Sequence, residues 1–187
     1  MKKKKKIKSI YLVLFAIFLV YLSIQVESKT SNLKNEYPKP YRSIVHEMAE
    51  EYDVDENLIY AIMRQESKFN TESVSSAKAR GLLQITEPTF EWLKMRLNDT
   101  TTVYEDLFEP EHNIRYGVYF LSLLKQEFKS SSTQLAAYNA GMNITKTWLS
   151  DSNYSKDGVI LDVIPYPETS NYVKIVLDNY RIYEEIY

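Results

Sequence analysis

The sequence predicts a mainly α-helical single domain preceded by one N-terminal helix of the membrane-spanning or signal type. Three observations carry this. Beyond residue 42, apolar residues recur at helical steps, and no alternating strand pattern of comparable length competes. The 187 residues, 44% apolar and 26% charged, suit one globular domain with a sizeable core. The opening stretch "MKKKKKIKSIYLVLFAIFLVYLSIQVESKT" sets six lysines before an apolar run from Ile10 to about Val26.

A spanning helix needs roughly 17–25 apolar residues, and a secretory signal needs a shorter core followed by a small-residue cleavage site. The run lies between the two, and "YLSIQVESKT" offers no such site, so a retained anchor is expected rather than a cleaved signal. The lysines stay in the cytoplasm by the positive-inside rule. That gives a single-pass protein of the cell membrane with its domain on the outer face; secretion after signal cleavage is the alternative. The expected organisation is 1–26 for lysines and anchor, 27–41 for a polar stalk carrying Pro38 and Pro40, and 42–187 for the domain.

Composition then narrows the function. Seven of the 23 basic residues and one of the 25 acidic ones lie within the first thirty, which leaves the remainder at net charge −8. Such a surface lacks the electrostatic footprint of a nucleic-acid binder and does not attract anionic polymers in bulk. No cysteine is present, and His46 and His112 are far apart, so disulfides, thiolate metal sites and a histidine ligand pair are not expected.

The expected helices run from Ile44 to Tyr52, from an Asp55 cap to Ser67, and from Pro88 to Leu97 behind a Thr86 cap. A long one follows from Glu111 to Phe128, with Ile114, Gly117, Leu121, Leu124 and Phe128 on one face. Shorter ones cover Thr133 to Ala140 and Ile144 to Leu149. A last one, Ser170 to about Glu184, carries Val173, Val176, Leu177 and Tyr180. Residues 98–110 and 150–168 read as irregular links. Two of only four glycines, Gly81 in "GLLQI" and Gly141 in "AYNAG", mark tight turns, ordinary helix caps or the close approach of a ligand.

The stretch "LIYAIMRQESKFN" carries the chemistry. Its apolar stripe through Leu58, Ile59, Ala61, Ile62 and Met63 continues to Glu66, so a carboxyl group occupies the inward face near a helix end. Lost solvation penalises its charged form and raises its pKa, which makes a proton donor near neutral pH. On spacing alone, an inward Glu is more often a structural hydrogen-bonding group.

Four ordered blocks extend this reading: "AIMRQESKFNTESVSSAKARGLLQI", "LFEPEHNIRYGVYFLSLL", "LAAYNAG" and "IPYPETSNYVKIVLDNYRIY". Together they resemble the lytic transglycosylases of the soluble-lytic type, a family with the goose-type lysozyme fold, over about Val45 to Tyr183. The resemblance implies Glu66 as catalytic acid/base. It also implies Ser75 and Gln84 in the sugar cleft, Tyr138 and Asn139 beside the scissile bond, and Glu168 fixing polar groups of a sugar. Tyr172 is the further tyrosine of the sixteen assigned to the cleft. Taken singly, Ser75 reads equally as a loop cap, Gln84 as a surface group, Tyr138 as a core aromatic and Glu168 as a helix N-terminal charge. The sequence departs from the family at Lys78, where glycine is usual, and at Leu83 and Thr86, where methionine is frequent.

The implied substrate is peptidoglycan. One carboxylate cleaves the β-1,4 bond between N-acetylmuramic acid and N-acetylglucosamine, and the muramoyl C6 hydroxyl then closes a 1,6-anhydro ring, with no cofactor or metal. The alternatives are a lysozyme-type hydrolase, with water replacing that hydroxyl, and a non-catalytic wall-binding protein.

Overall fold

A computed structural model describes residues 2–187, with side chains from Ile17 onward apart from Val26. The chain forms two compact units, the first reaching Pro38 and the second running from Lys39 to Glu185. In the first unit, helix α1 spans Lys2–Glu36, so the segment expected as a stalk is helical through Glu36. The side chains of Ile17, Phe18, Leu19, Val20, Tyr21, Leu22 and Ile24 are all exposed. Among the described residues no helix is long and apolar enough to cross a membrane. The expected span from Ile10 to about Val26 lies in part outside the residues whose side chains are described.

The second unit is helical: α2 (Arg42–Tyr52), α3 (Glu56–Ser67), α4 (Glu87–Leu97), α5 (Pro110–Glu127), α6 (Ser131–Ala140), α7 (Met142–Leu149) and α8 (Pro167–Ile186). Isolated bridges Val74–Arg80 and Arg80–Ile85 are the only β-type pairings among the described residues. The boundaries follow local chemistry. Asp55 caps α3 by accepting from the amides of Asn57 (2.8 Å) and Leu58 (3.1 Å). Proline opens α5 and α8 in the first turn, where its missing N–H costs nothing. Thr86 occupies the cap position of α4, but its hydroxyl pairs with that of Thr89 at 2.9 Å instead of capping a backbone amide. Within the link expected to be irregular, Tyr104–Phe108 forms a 3-10 turn.

Helix α5 is the centre of the unit. It packs against α2, α4, α6 and the 3-10 turn, and it buries Ile114, Tyr116, Val118, Leu121 and Leu124. Asn113 and Gly117, one turn apart on α5, receive the 80–85 loop. A Cβ on Gly117 would run into the side chain of Leu83, so glycine is what lets the loop pack down onto the helix. The fully buried Asn113 accepts from the Leu83 amide (2.8 Å) and donates to the carbonyls of Leu107 (2.7 Å) and Arg80 (2.9 Å). Gly81, at φ +74°, turns so close to this amide and to the Leu107 carbonyl that no side chain fits there.

Asn113→Ala strands the buried Leu83 N–H and Leu107 carbonyl, while the Arg80 carbonyl keeps the Ile85 amide as donor. The expected result is a loss of about 1–3 kcal/mol in unfolding free energy, read from urea titration as a lowered midpoint.

Candidate active site

Glu66 lies one residue before the end of α3. Two successive left-handed residues, Lys68 (φ 50°) and Phe69 (φ 67°), turn the chain away at that point. Its neighbour Ser67 donates to the Leu82 carbonyl at 2.9 Å, which ties the helix end to the 80–85 loop. Glu66 thereby opens onto a cleft of about 290 Å3. The same cleft is lined by Ser75, Gln84, Tyr138, Asn139 and Glu168, which come from the α3–α4 connection and the helices α6 and α8. Tyr172 is buried behind this lining and donates its hydroxyl to Glu66 Oε1 at 2.7 Å.

The Glu66 carboxyl is pushed up to about 7. Burial is the dominant cause, and the hydrogen bond from Tyr172 opposes it by favouring the anion. The side chain as a residue is only part-buried, because it faces the cleft, yet protein surrounds its carboxyl group. With Oε1 engaged by Tyr172, Oε2 is the atom left to carry and deliver a proton. Burial and the nearby Glu66 charge both push the Tyr172 phenol well above its ordinary value, as they do the Tyr138 phenol. Neither phenol is an acid at neutral pH.

The remaining side chains are oriented by neighbours. The Gln84 amide nitrogen donates to the carbonyls of Gly81 (2.8 Å) and Ser73 (3.0 Å), so its carbonyl oxygen is what it offers the cleft. Asn139 is held the other way round. Its Oδ1 accepts from Thr169 at 2.7 Å, which leaves its NH2 for the cleft. The Tyr138 hydroxyl donates to the Leu83 carbonyl at 2.6 Å, and its ring lies 5.3 Å from that of Phe120. Ser75 Oγ accepts from the Ala79 amide at 3.1 Å, so it caps its loop while lining the cleft. Glu168 is in the first turn of α8 and exposed. Two of the departures from the family pattern lie in or beside this wall. Lys78 adopts φ +60°, a left-handed conformation that glycine takes without strain, and its carbonyl is held by the Tyr104 hydroxyl at 2.6 Å. Thr86 lines the cleft directly.

Sequence reasoning missed Asn113, Thr169 and Phe120. Phe120 fell off the apolar face drawn for α5, and buried polar residues such as Asn113 and Thr169 leave no periodic signal. Among the described residues no cluster of three or more His, Asp or Glu could hold a metal ion.

The second unit is thus mainly helical and opens one carboxyl, raised by burial, onto a polar cleft. The description "Transglycosylase SLT domain" matches residues 43–160, more than half of the chain, and the chain belongs to that family. It is similar to the soluble lytic murein transglycosylase of Salmonella typhimurium, with 34% identity over 149 residues, covering 78% of this chain and 23% of that protein. Against the soluble lytic murein transglycosylase of Escherichia coli K12, identity is 30% over 184 residues, covering 94% and 28%. Membrane-bound lytic murein transglycosylase C of Mannheimia succiniciproducens is 33% identical over 149 residues, covering 72% and 40%. The crystal structure of the 70 kDa soluble lytic transglycosylase of E. coli superimposes with TM-score 0.72 at 28% identity, over 82% of this chain and 25% of that one. The chain thus spans less than half the length of these relatives. Glu168 and Tyr172 lie beyond the residues matched by the family.

The raised Glu66 value has a thermodynamic sign. Between the ordinary carboxyl value of 4.5 and about 7, the folded state holds a proton that the unfolded state has lost, so stability falls as pH rises through that window and is level above it. The expected cost is up to about 3 kcal/mol. Glu66→Gln should abolish this pH dependence and make the domain more stable than wild type at pH 8 but not at pH 4, as followed by urea unfolding at both values.

Proposed function

We propose that this chain is a peptidoglycan lytic transglycosylase that cleaves the β-1,4 bond between N-acetylmuramic acid and N-acetylglucosamine, with Glu66 as its single acid/base. The observation that carries the reading is the Glu66 carboxyl, raised by burial to about 7 and opening onto a polar cleft. The names of its relatives, lytic murein transglycosylases, support the substrate.

In this mechanism Oε2 of Glu66 protonates the glycosidic oxygen as the bond to the muramoyl anomeric carbon breaks. The substrate's own acetamide stabilises the cation. The Glu66 carboxylate then takes the proton of the C6 hydroxyl as O6 bonds to the anomeric carbon, so Glu66 returns to its starting form and no water is consumed. Asn139 offers N–H donors and Gln84 an acceptor, the complementary pair that an acetamide needs to be held in place. Tyr172 fixes the Glu66 rotamer and stabilises the anion formed between the two steps. Ser75 and Glu168 serve hydroxyl and amide groups of the flanking sugars, and Tyr138 supplies a ring wall.

A second reading rests on the presence of Glu168 in the same cleft. Two carboxyl groups are the usual equipment of a hydrolase, in which one activates water. The ends left on digested wall separate the two: mass spectrometry should find 1,6-anhydromuramoyl ends, whereas hydrolysis leaves reducing ends. Glu66→Gln should lower turnover by at least about 10²–10⁴-fold with the fold retained by circular dichroism, and wild-type kcat/KM should decline as pH rises through about 7. Activity of Glu66→Gln within a factor of about ten of wild type would remove the assignment.

The proposed organisation is residues 1–26 as lysines and anchor, 27–41 as connector and 42–187 as catalytic domain outside the membrane. The lysine cluster and the apolar run support this. Full-length protein should stay in the membrane fraction after a carbonate wash, with the domain open to external protease. Release of a form beginning near Ser28 would show signal cleavage instead.

A further inference from the structure

The first turns of α8 reach the cleft wall from behind at two points. Thr169 and Tyr172 are three residues apart, so they share one face of the helix, and both are buried. Tyr172 donates its hydroxyl to the Glu66 carboxyl at 2.7 Å, and Thr169 donates its own to Asn139 Oδ1, also at 2.7 Å. Both residues lie beyond 43–160, the stretch matched by the family. Thr169 has no part in the raised Glu66 value, so its contact serves another property of the site.

Asn139 is exposed in the last turn of α6, and its position on the helix does not decide which end of its amide faces the cleft. An amide can turn end for end with little change in shape, exchanging its N–H donors for an acceptor. Thr169 removes that freedom. Its buried hydroxyl has Asn139 as its only hydrogen-bond partner among the described residues. With Oδ1 toward Thr169, the hydroxyl proton is accepted. With the amide reversed, an N–H would meet the hydroxyl oxygen and leave that proton buried without an acceptor, which is costly. The donors therefore stay on the cleft side.

Resting on the reading above, in which the cleft cuts a glycan strand, we infer that Thr169 is a positioning residue that sets substrate preference. By holding the Asn139 amide with its N–H groups toward the cleft, it selects an acetamido carbonyl over the ammonium of a de-N-acetylated sugar. Acceptor meets donor in the first case, and two donors face each other in the second. Without the Thr169 hydroxyl the amide turns to suit whichever group arrives. The preference then weakens, while the contact between Tyr172 and residue 66 is left in place.

The test uses full-length Glu66→Gln protein in detergent micelles, so that binding is read without turnover. The probes are the pentamers of N-acetylglucosamine and of glucosamine. Thr169→Val keeps the side-chain shape and loses the hydroxyl. In isothermal titration it should weaken the N-acetylated pentamer about three- to tenfold, the worth of one hydrogen bond, and leave the glucosamine pentamer bound equally or more tightly. Thr169→Ser should keep the parent preference. In an Asn139→Ala background Thr169→Val should change neither affinity, because the residue it acts through is gone. Equal weakening of the two pentamers, or an effect of Thr169→Val that persists without Asn139, shows a packing role and overturns the inference. An unchanged preference in Thr169→Val overturns it too. Should Thr169→Val not fold, Thr169→Ser and Thr169→Ala differ by the hydroxyl alone, and equal preference in those two has the same consequence. All these results leave the proposed activity standing, since that is read from anhydro ends and from the lost turnover of Glu66→Gln. Failure of the Glu66→Gln parent to bind either pentamer overturns both readings.

Discussion

Six residues, Arg80 to Ile85, depend on one buried amide. Asn113 takes the Leu83 N–H and holds the Arg80 carbonyl, while Gly117 one turn later makes room for the Leu83 side chain. Once the loop is seated, its other polar atoms become attachment points for the rest of the site. Ser67 from α3 reaches the Leu82 carbonyl, Tyr138 from α6 reaches the Leu83 carbonyl, and Gln84 folds back onto Gly81. Three helices are thereby brought to one short loop, and the residue preceding Ser67 is Glu66. The cleft geometry is a consequence of how α5 receives this loop, and the groups that face the cleft follow from it.

The proton on Glu66 is a compromise between two terms. Burial alone would push the carboxyl further up, toward a group too weak to ionise when the proposed mechanism needs a base. The Tyr172 hydrogen bond favours the anion and brings the value back to about 7. A group that must act first as acid and then as base works best with its pKa near the working pH, where neither state is far uphill. No cationic side chain contributes to the Glu66 shift. The acidic balance of the domain thus reflects its outer surface, while desolvation and one phenol set the chemistry inside.

Much of this was legible in the sequence. The helical periods gave α2 to α8 to within a few residues, because each buries an apolar stripe and most begin at a cap or proline that can be read directly. Glu66 stood out since it prolonged such a stripe. The 3-10 turn at Tyr104–Phe108 did not, because it is held by partners distant in sequence: Tyr104 bonds the carbonyls of Lys78 and Ile85, and Arg80 lies 4.0 Å over its ring. Asp99 is a similar case. It reads as a loop acid, yet it accepts from Thr101, Thr102 and Tyr116, which hold its carboxyl well below the usual range and fasten the 98–103 link to α5. A buried polar residue looks like a surface one until its partners are known.

Left-handed residues in and beside the cleft wall show where the fold accepts strain. Lys78 at φ +60° and Gln84 at φ +48° are both non-glycine residues in a conformation that costs a side chain of order 1 kcal/mol or more. Each is over-determined by its surroundings. Tyr104 and the Ser75 carbonyl fix Lys78, and the two carbonyls held by Gln84 Nε2 fix Gln84. The consequence differs between them. At Gln84 the strained backbone is what turns the amide nitrogen back into the loop and leaves the carbonyl oxygen for the cleft, so the strain is coupled to what the residue presents. At Lys78 the exposed side chain makes no such contribution, and a glycine would relieve the same backbone. The two positions look alike in their dihedral angles, and only their hydrogen bonds separate a conformation that the cleft uses from one that it tolerates.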